Sequence, residues 1–298
     1  MRVTFGTGTN IALADLERAS AELARRQRQV ASGKRVNEPS DDPSAAAATI
    51  RERNEIAAID QFVRTTDSAQ SRLSVIDTFL SDMITTLTAA QAAGCGAIGT
   101  TQNDAQREAT ARSLEGLRDA LLSDANATFG GTYLFGGTAS LTAPYAKNAD
   151  GSISTYQGEH NTLSVDIDRQ RSVRISYDGQ EVFQGADAQD VFATMQALID
   201  AVRANDQAGV TAGVAGLKGA FDRLVGVQSR VGADLVALEE QAARLGQIRH
   251  ATTERLSKDE DANMAEAITK MNEANTLYQA ALGAVATRTK LSLLDYLR

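Results

Sequence analysis

Few residues of this 298-residue chain have the types and spacing that catalysis or metal binding requires. The two histidines, His160 and His250, lie in no HExxH or other metal-binding spacing. Cys95 is the single cysteine, so the chain can form neither an intramolecular disulfide nor a cysteine-based zinc site. Cys95 is either a bystander between two glycines or, as an alternative, a reactive thiol. With no Walker A or GxSxG pattern, the sequence predicts no enzyme.

Two acidic triplets are the remaining candidates for a cation site. Asp166 and Asp168, in DID, would place alternate side chains on one face of a strand. The second triplet, DED at 259–261, suits the start of a helix, where carboxylates are favoured without any metal. We therefore expect no metal and no cofactor.

Composition favours long helices. Hydrophobic residues make up 43% of the chain, but aromatic residues only 5%, with no Trp and three Pro. The net charge of -8 argues against a nucleic-acid or anionic-membrane partner. No apolar run reaches the roughly 18 to 20 residues that a membrane span needs, so we expect no membrane insertion. The N-terminus lacks the apolar core of a conventional secretory signal, and these features together predict a soluble protein.

Apolar residues recur in steps of three and four along two long stretches, which begin at Ile59 and Val210. A sustained period of 3.5 residues is typical of supercoiled helices that meet along a narrow seam. Helical segments over 44–128 and 188–254 therefore predict a mainly α fold, an elongated helical bundle or coiled coil.

A small β insertion interrupts this bundle. Residues 133–186 alternate polar and apolar side chains between NADG, GEHN and YDG turns. Because the insertion carries its own turns, we expect that a short linker could replace 137–185 and leave the bundle folded. The predicted parts of the chain are an N-terminal helical arm 1–38, a first bundle half 39–132, the insertion 133–186, a second bundle half 187–256 and a C-terminal helical arm 257–298.

Both arms carry apolar seams, diluted by Ser20 and Gln27 in the first and by Asn275 in the second. Ser257 and Glu260 match a capping box, which predicts that the C-terminal helix begins there. Such thin seams tend to order only with partners, so we expect both arms to be mobile in the isolated protein. The seam residues are Leu13, Leu16, Leu23 and Val30, and then Ile268, Met271, Tyr278, Leu282, Val285, Leu293 and Leu294.

Helix-breaking residues are concentrated between the N-terminal arm and the bundle. Pro39 and Pro43 are two of the three prolines. Gly33 fits the position just past a helix C-terminus, Asp42 fits an N-cap, and Pro43 fits the first helical position. The segment ends one helix and begins another, and local chemistry does not distinguish it from an ordinary interhelical loop.

Three segments carry a family resemblance. ASGKRVNEPSDDPSAAA resembles the signature after the first helix of flagellins and hook-associated proteins. GGTYLFGGTASLTAPY and the ending LSLLDYL resemble the hook-associated protein 3 family, the hook–filament junction proteins of bacterial flagella. The resemblance touches both termini and the centre, whereas the β insertion and the helix over 188–204 align closely with nothing in that family.

The resemblance implies a structural adaptor subunit of the flagellum, exported by the flagellar type III apparatus without a cleaved signal and located outside the cell. It implies that the two terminal helices pair in an inner tube, with the bundle outside them. The connection between these layers would contain Gly33, Asn37, Pro39, Asp41, Asp42 and Pro43. The implied partners are further copies in a ring, another hook-associated protein on the hook side, flagellin on the filament side and an export chaperone.

Two other functions remain open at this point. A flagellin-type filament subunit would polymerise alone into long filaments. A soluble signalling coiled coil, such as the cytoplasmic rod of a chemoreceptor, belongs to a different class, and the β insertion argues against it.

Overall fold

The computed structural model describes residues 2–99, 103–149, 151–185 and 190–296, with side chains described between residues 10 and 287 of these ranges. The described chain is mainly helical, which confirms the predicted fold class. Its elements are α1 (Arg2–Ser32), α2 (Pro43–Ala97), α3 (Asp104–Ala125), β1 (Thr128–Phe129), β2 (Thr132–Tyr133), β3 (Ser164–Asp168), β4 (Arg171–Arg174), α4 (Gly179–Phe183), α5 (Val191–Ala204), α6 (Gln207–Glu260) and α7 (Met264–Tyr296).

The chain divides into two compact units. The terminal unit comprises residues 1–59 and 247–298, and the central unit comprises residues 60–246. Helices α2 and α6 each supply residues to both units.

The core of the central unit follows the predicted seams. The apolar positions of α2 and α6 that repeat in steps of three and four are buried in one cluster with residues of α3 and α5. Gly94 marks a close approach, since a Cβ there would lie 2.7 Å from Cγ2 of Val214. The buried seam residues of the two long helices include Leu73, Ile76, Leu80, Met83, Leu87, Val210, Leu217, Leu224, Val231 and Leu238.

The insertion contains less sheet than its sequence predicts. The antiparallel pair β3–β4 lies within it, and the separate pair β1–β2 lies at its start, over residues 128–133. Within the alternating stretch, the segment SISTYQG at 152–158 forms no named strand and contributes one isolated bridge, between Ile153 and Lys147. Two-stranded ribbons of this length cannot form a core alone, so the segment must bury its large side chains against helices.

The insertion shares its core with the bundle. Phe135, Tyr145 and Phe183 are buried in the same cluster as the α2 and α6 seams. The Tyr145 ring lies 5.5 Å from Phe183 and 4.9 Å from Phe192 of α5, between ring centroids. The expectation that 137–185 is replaceable is therefore corrected: its aromatic side chains complete the core of the central unit. The five-part division of the chain stays a prediction.

Truncation of a buried ring tests this shared core. Phe183→Ala should lower the free energy of unfolding by about 3–5 kcal/mol, because it removes a buried ring and leaves a cavity. Thermal melts followed by helical circular dichroism measure the loss. The control, Leu141→Ala in the same segment, truncates a side chain that is 82% exposed and should stay within about 0.5 kcal/mol. An unchanged helical transition in Phe183→Ala would show that the insertion folds apart from the helices.

The start of the C-terminal helix also differs from its prediction. Ser257 and Glu260 lie in the last turn of α6, so their capping-box pattern opens no helix. Helix α7 begins at Met264, after Asn263, whose Oδ1 accepts the Ala265 N–H at 3.1 Å. The Ser257 hydroxyl instead donates to Asp261 at 2.6 Å. The pattern misled because Ser and Glu three residues apart also occur inside helices, where no backbone N–H is free.

Candidate functional site: the terminal helix pair and its connectors

The terminal helices α1 and α7 pack against each other within one chain. On α7, Ala267 and Ala274 are buried, while Met271, Tyr278 and Val285 are half-buried. The partner residues that α1 places in the half-buried class include Leu16, Leu23 and Val30. These positions recur in steps of three and four, so each helix uses a single stripe for the pairing.

The predicted seam divides into an inner and an outer part. Leu13, Ile268 and Leu282 are exposed, the last two at 43% and 46%. At about 100° per residue, Ile268 lies roughly 90° and Leu282 roughly 50° around α7 from the centre of its inner stripe. Leu293 and Leu294 lie outside the residues whose side chains are described. The sequence prediction missed Ala267 and Ala274, although their spacing from Met271 and Tyr278 marks the inner stripe.

The connector after α1 pairs with the connector after α6. The Arg35 N–H donates to the Glu260 carbonyl at 2.7 Å, and the Ala262 N–H donates to the Gly33 carbonyl at 2.9 Å. Gly33 ends α1 with φ of 70°, a left-handed conformation that glycine adopts without steric cost. These bonds form an antiparallel bridge centred on Lys34 and Asp261. The connector between α1 and α2 therefore lies beside the connector between α6 and α7.

Asp41 organises the turn before α2. Its Oδ2 accepts the N–H groups of Asn37 and Glu38, each at 3.1 Å, and its Oδ1 lies 3.0 Å from Nε of Arg25. Pro39 occupies the second position of a turn closed by the Asp41 N–H and the Glu38 carbonyl at 2.9 Å, where its fixed φ is favoured. Burial opposes ionisation of Asp41, but these N–H groups and arginines outweigh it and hold its pKa below the ordinary value.

Asp42 caps helix α2, as its position before Pro43 predicts. Its Oδ1 accepts the Ser44 hydroxyl at 2.7 Å and the backbone N–H groups of Ser44 and Ala45, each at 3.1 Å. Its Oδ2 lies 3.0 Å from Nη1 of Arg35. The Ser44 hydroxyl and then the Ala45 N–H hold the pKa of Asp42 far below its ordinary value. The N-cap therefore stays charged at any physiological pH.

Glu260 is the buried charge of the site. Its carboxylate is 6% exposed and pairs with Lys34 of the connector and Arg53 of α2. Burial raises the energy of the ionised form, but hydrogen bonds from Lys34 and Arg53 dominate and lower the pKa of Glu260. Sequence reasoning missed this residue's role, because Arg53 lies 207 positions away and no local pattern links them.

Acidification provides a test of these carboxylates. Their folded-state pKa values lie below the ordinary value, so their stabilisation is present above about pH 4 and lost as pH falls through the lowered pKa. Glu260→Gln should cost about 1 kcal/mol at pH 7, a modest figure because Lys34 and Arg53 are partly exposed and solvent screens them. At about pH 3 the difference between the variant and the wild type should be smaller than at pH 7. Thermal melts at both pH values measure this.

Glu273→Gln is the matched control, since Glu273 is exposed on α7 of the same unit. The control should melt as the wild type does at both pH values. A loss for Glu260→Gln that persists undiminished at low pH would contradict the electrostatic role of this carboxylate.

The remaining candidate residues are dispersed. Nδ1 of His160 lies 3.2 Å from Asp178, and His250 is exposed on α6 beside Glu254. Cys95 is exposed at the end of α2. In the described part of the chain, no group of three His, Cys, Asp or Glu residues is placed to hold a metal. None of the described helices has the length and apolarity needed to cross a membrane.

Two long terminal helices joined to a central region define the flagellin class of protein, and comparisons with known families agree. Residues 7–140 match the bacterial flagellin N-terminal helical region, and residues 214–297 match the bacterial flagellin C-terminal helical region. The chain is 27% identical to flagellar hook-associated protein 3 of Escherichia coli strain K12, with 92% of this chain and 93% of that protein covered.

Solved structures agree on the fold. A flagellar hook-associated protein from Vibrio parahaemolyticus superposes with a TM-score of 0.70 at 21% identity, covering 74% of this chain and 100% of its own. The flagellar junction protein FlgL from Legionella pneumophila superposes with a TM-score of 0.60 at 17% identity, covering 71% of this chain and 100% of its own.

The chain belongs to the flagellin-like family and, within it, to the hook-associated protein 3 group of hook–filament junction proteins. It is a structural, non-enzymatic component of the bacterial flagellum, outside the cell. The resemblance identified in the sequence is confirmed.

Proposed function

We propose that the α1–α7 pair is the surface through which this junction subunit joins further copies of itself in a ring. Large apolar side chains on the outer sides of the pair support this proposal, because the inner stripe is already covered within the chain. Exposed apolar groups that cluster on one element are typical of protein interfaces. The outer residues are Ile11, Leu13, Met264, Ile268, Leu277 and Leu282.

A second copy of the chain is the occupant that this surface favours. The outer residues lie on both terminal helices and on different sides of α7, since Leu277 lies about 140° around the axis from Leu282. Contacts between two different surfaces join copies head to tail, and such contacts generate rings or helical assemblies rather than closed pairs. This arrangement suits a subunit that continues a tube.

The neighbours above and below the ring follow from the same surface. We infer that another hook-associated protein lies on the hook side and flagellin on the filament side. The match of both terminal regions to flagellin helical regions supports this, because related helices can present related surfaces to one tube. An export chaperone that covers the apolar surface before assembly completes the proposed partners.

The connectors are proposed as the link between an inner layer, formed by the terminal helices, and the outer layer. Several contacts within a short stretch of chain support this proposal. They are two backbone hydrogen bonds, the Glu260 ion pairs and the Asp42 cap of α2. A link of this kind resists bending because the first connector is tied both to the end of α6 and to the start of α2. The proposed link contains the residues that the resemblance assigns to it, which are Gly33, Asn37, Pro39, Asp41, Asp42 and Pro43.

Charge on the outer surface tests the assembly role. Ile268→Asp/Leu282→Asp should change the melting temperature of the monomer little, because both side chains are exposed. In a ring the two carboxylates would be buried without partners, which typically costs several kcal/mol. The variant should be secreted yet fail to support filaments, as swimming assays and electron microscopy of hooks would show. Normal swimming would contradict the proposal.

Two controls separate assembly from folding. Ala274→Asp buries its charge against α1 and should destabilise the terminal unit, since Ala274 is 5% exposed. Val285 lies on the same predicted seam as Leu282 but is half-buried. A charge at Val285 would therefore not test the outer surface alone. If Ile268→Asp/Leu282→Asp melts as poorly as Ala274→Asp, the outer residues belong to the fold rather than to an interface.

Deletion of the gene tests the placement of the subunit. Cells that lack a junction protein should keep their hooks, carry no filaments and release flagellin into the medium. Electron microscopy and a blot of the medium measure these outcomes. Intact filaments on the deletion strain would contradict the junction function, and missing hooks would place the subunit earlier in assembly.

A further inference from the structure

A basic cleft lies in the central unit. It has a volume of about 460 Å³ and lies between α2, the strand β1 and the β3–β4 pair. Its polar lining includes Gln61, Arg64, Ser68 and Arg72, and Phe129 contributes an apolar wall. No acidic side chain is among the described residues that line it.

Arg72 is a half-buried cation whose hydrogen-bond partners among the described residues are all neutral groups. Its Nε donates to the Ile175 carbonyl at 2.7 Å, Nη1 to the Thr132 hydroxyl at 2.9 Å, and Nη2 to the Tyr133 carbonyl at 3.4 Å. A guanidinium carries five N–H donors, so two remain after these bonds. Burial lowers the pKa of Arg72, as it does for a cation without a counter-ion.

Arg64 adds a second charge on the same face of α2. Arg64, Ser68 and Arg72 are four residues apart in turn, so their side chains leave the helix on one side within about 12 Å. Nη2 of Arg64 donates to Oε1 of Gln61 at 2.7 Å, and its other donors face no described carboxylate within ion-pair distance. Elsewhere in the unit, Arg203 pairs with Glu108 and Glu115.

We propose that this cleft binds an oxyanion, a phosphate, sulfate or carboxylate group, through the guanidinium groups of Arg64 and Arg72. Planar guanidinium donors match the oxygen spacing of such groups, and the Ser68 hydroxyl between them supplies a neutral donor. The negative charge of the oxyanion balances the positive charge of Arg72. The hydrogen bonds of Arg72 to β2 and Ile175 hold its guanidinium in place. The oxyanion comes either from a free solute or from a carboxylate side chain of a second copy of this chain.

Titration with inorganic phosphate and with sulfate tests the proposal on the full chain. Calorimetry should show binding that chloride at equal ionic strength does not reproduce. Arg64→Gln should weaken that binding about tenfold, the loss expected for one charge-assisted hydrogen bond. Arg64 is exposed, and its bond within the described part of the chain is the local one to Gln61, so this variant should melt as the wild type does in chloride. Arg51→Gln, an equal charge change at an exposed position of α2, should bind as the wild type does.

Sedimentation of the full chain distinguishes the two sources. If a second copy supplies the carboxylate, phosphate and Arg64→Gln both weaken self-association, while a free solute leaves self-association unchanged. Equal heats for phosphate and chloride, or equal phosphate binding by the wild type and Arg64→Gln, would overturn the proposal. Arg72 would then be only a clamp between α2 and the hairpins.

Discussion

The backbone bridge between the two connectors is the constraint on which the terminal unit depends. Helices α1 and α6 both end beside it, and α2 and α7 both begin beside it. Four helix ends in one place would leave many N–H and C=O groups without partners. The connectors satisfy part of this demand mutually, and Asp42 and Asn263 cap the new helices. Glu260 then forms ion pairs with two of the cations gathered there, Lys34 and Arg53.

The central unit follows a different principle, in which large rings complete a helical core. Its helices supply mostly Leu, Ile, Val and Ala, whereas Phe135, Tyr145 and Phe183 come from the inserted segment. Aromatic residues are therefore scarce in the chain as a whole but concentrated in one part of the core, where Tyr145 contacts Phe183 and Phe192. A segment of short hairpins is fixed in place by its side chains rather than by its sheet.

Sequence periodicity predicted most of this fold because the α2 and α6 seams are long and regular. Gly33, Asp42 and Pro43 were also predictable, since each acts through its own backbone chemistry. The division of the α7 seam into inner and outer parts could not be predicted. Leu282 and Val285 both fit one narrow stripe in the sequence, and only the packing against α1 shows that Val285 is half-buried and Leu282 exposed. The Glu260 pairs lay beyond any local pattern, and the aromatic core required contacts between distant segments.

The outer apolar residues of the terminal helices also bear on the colloidal behaviour of the free subunit. A chain with these side chains in water tends to self-associate, while a net charge of -8 on every copy repels its neighbours. That repulsion acts over about 10 Å at 0.1 M salt and fades as salt is added. Dilute, low-salt solution thus keeps the subunit dispersed, and crowding or added salt moves it towards association.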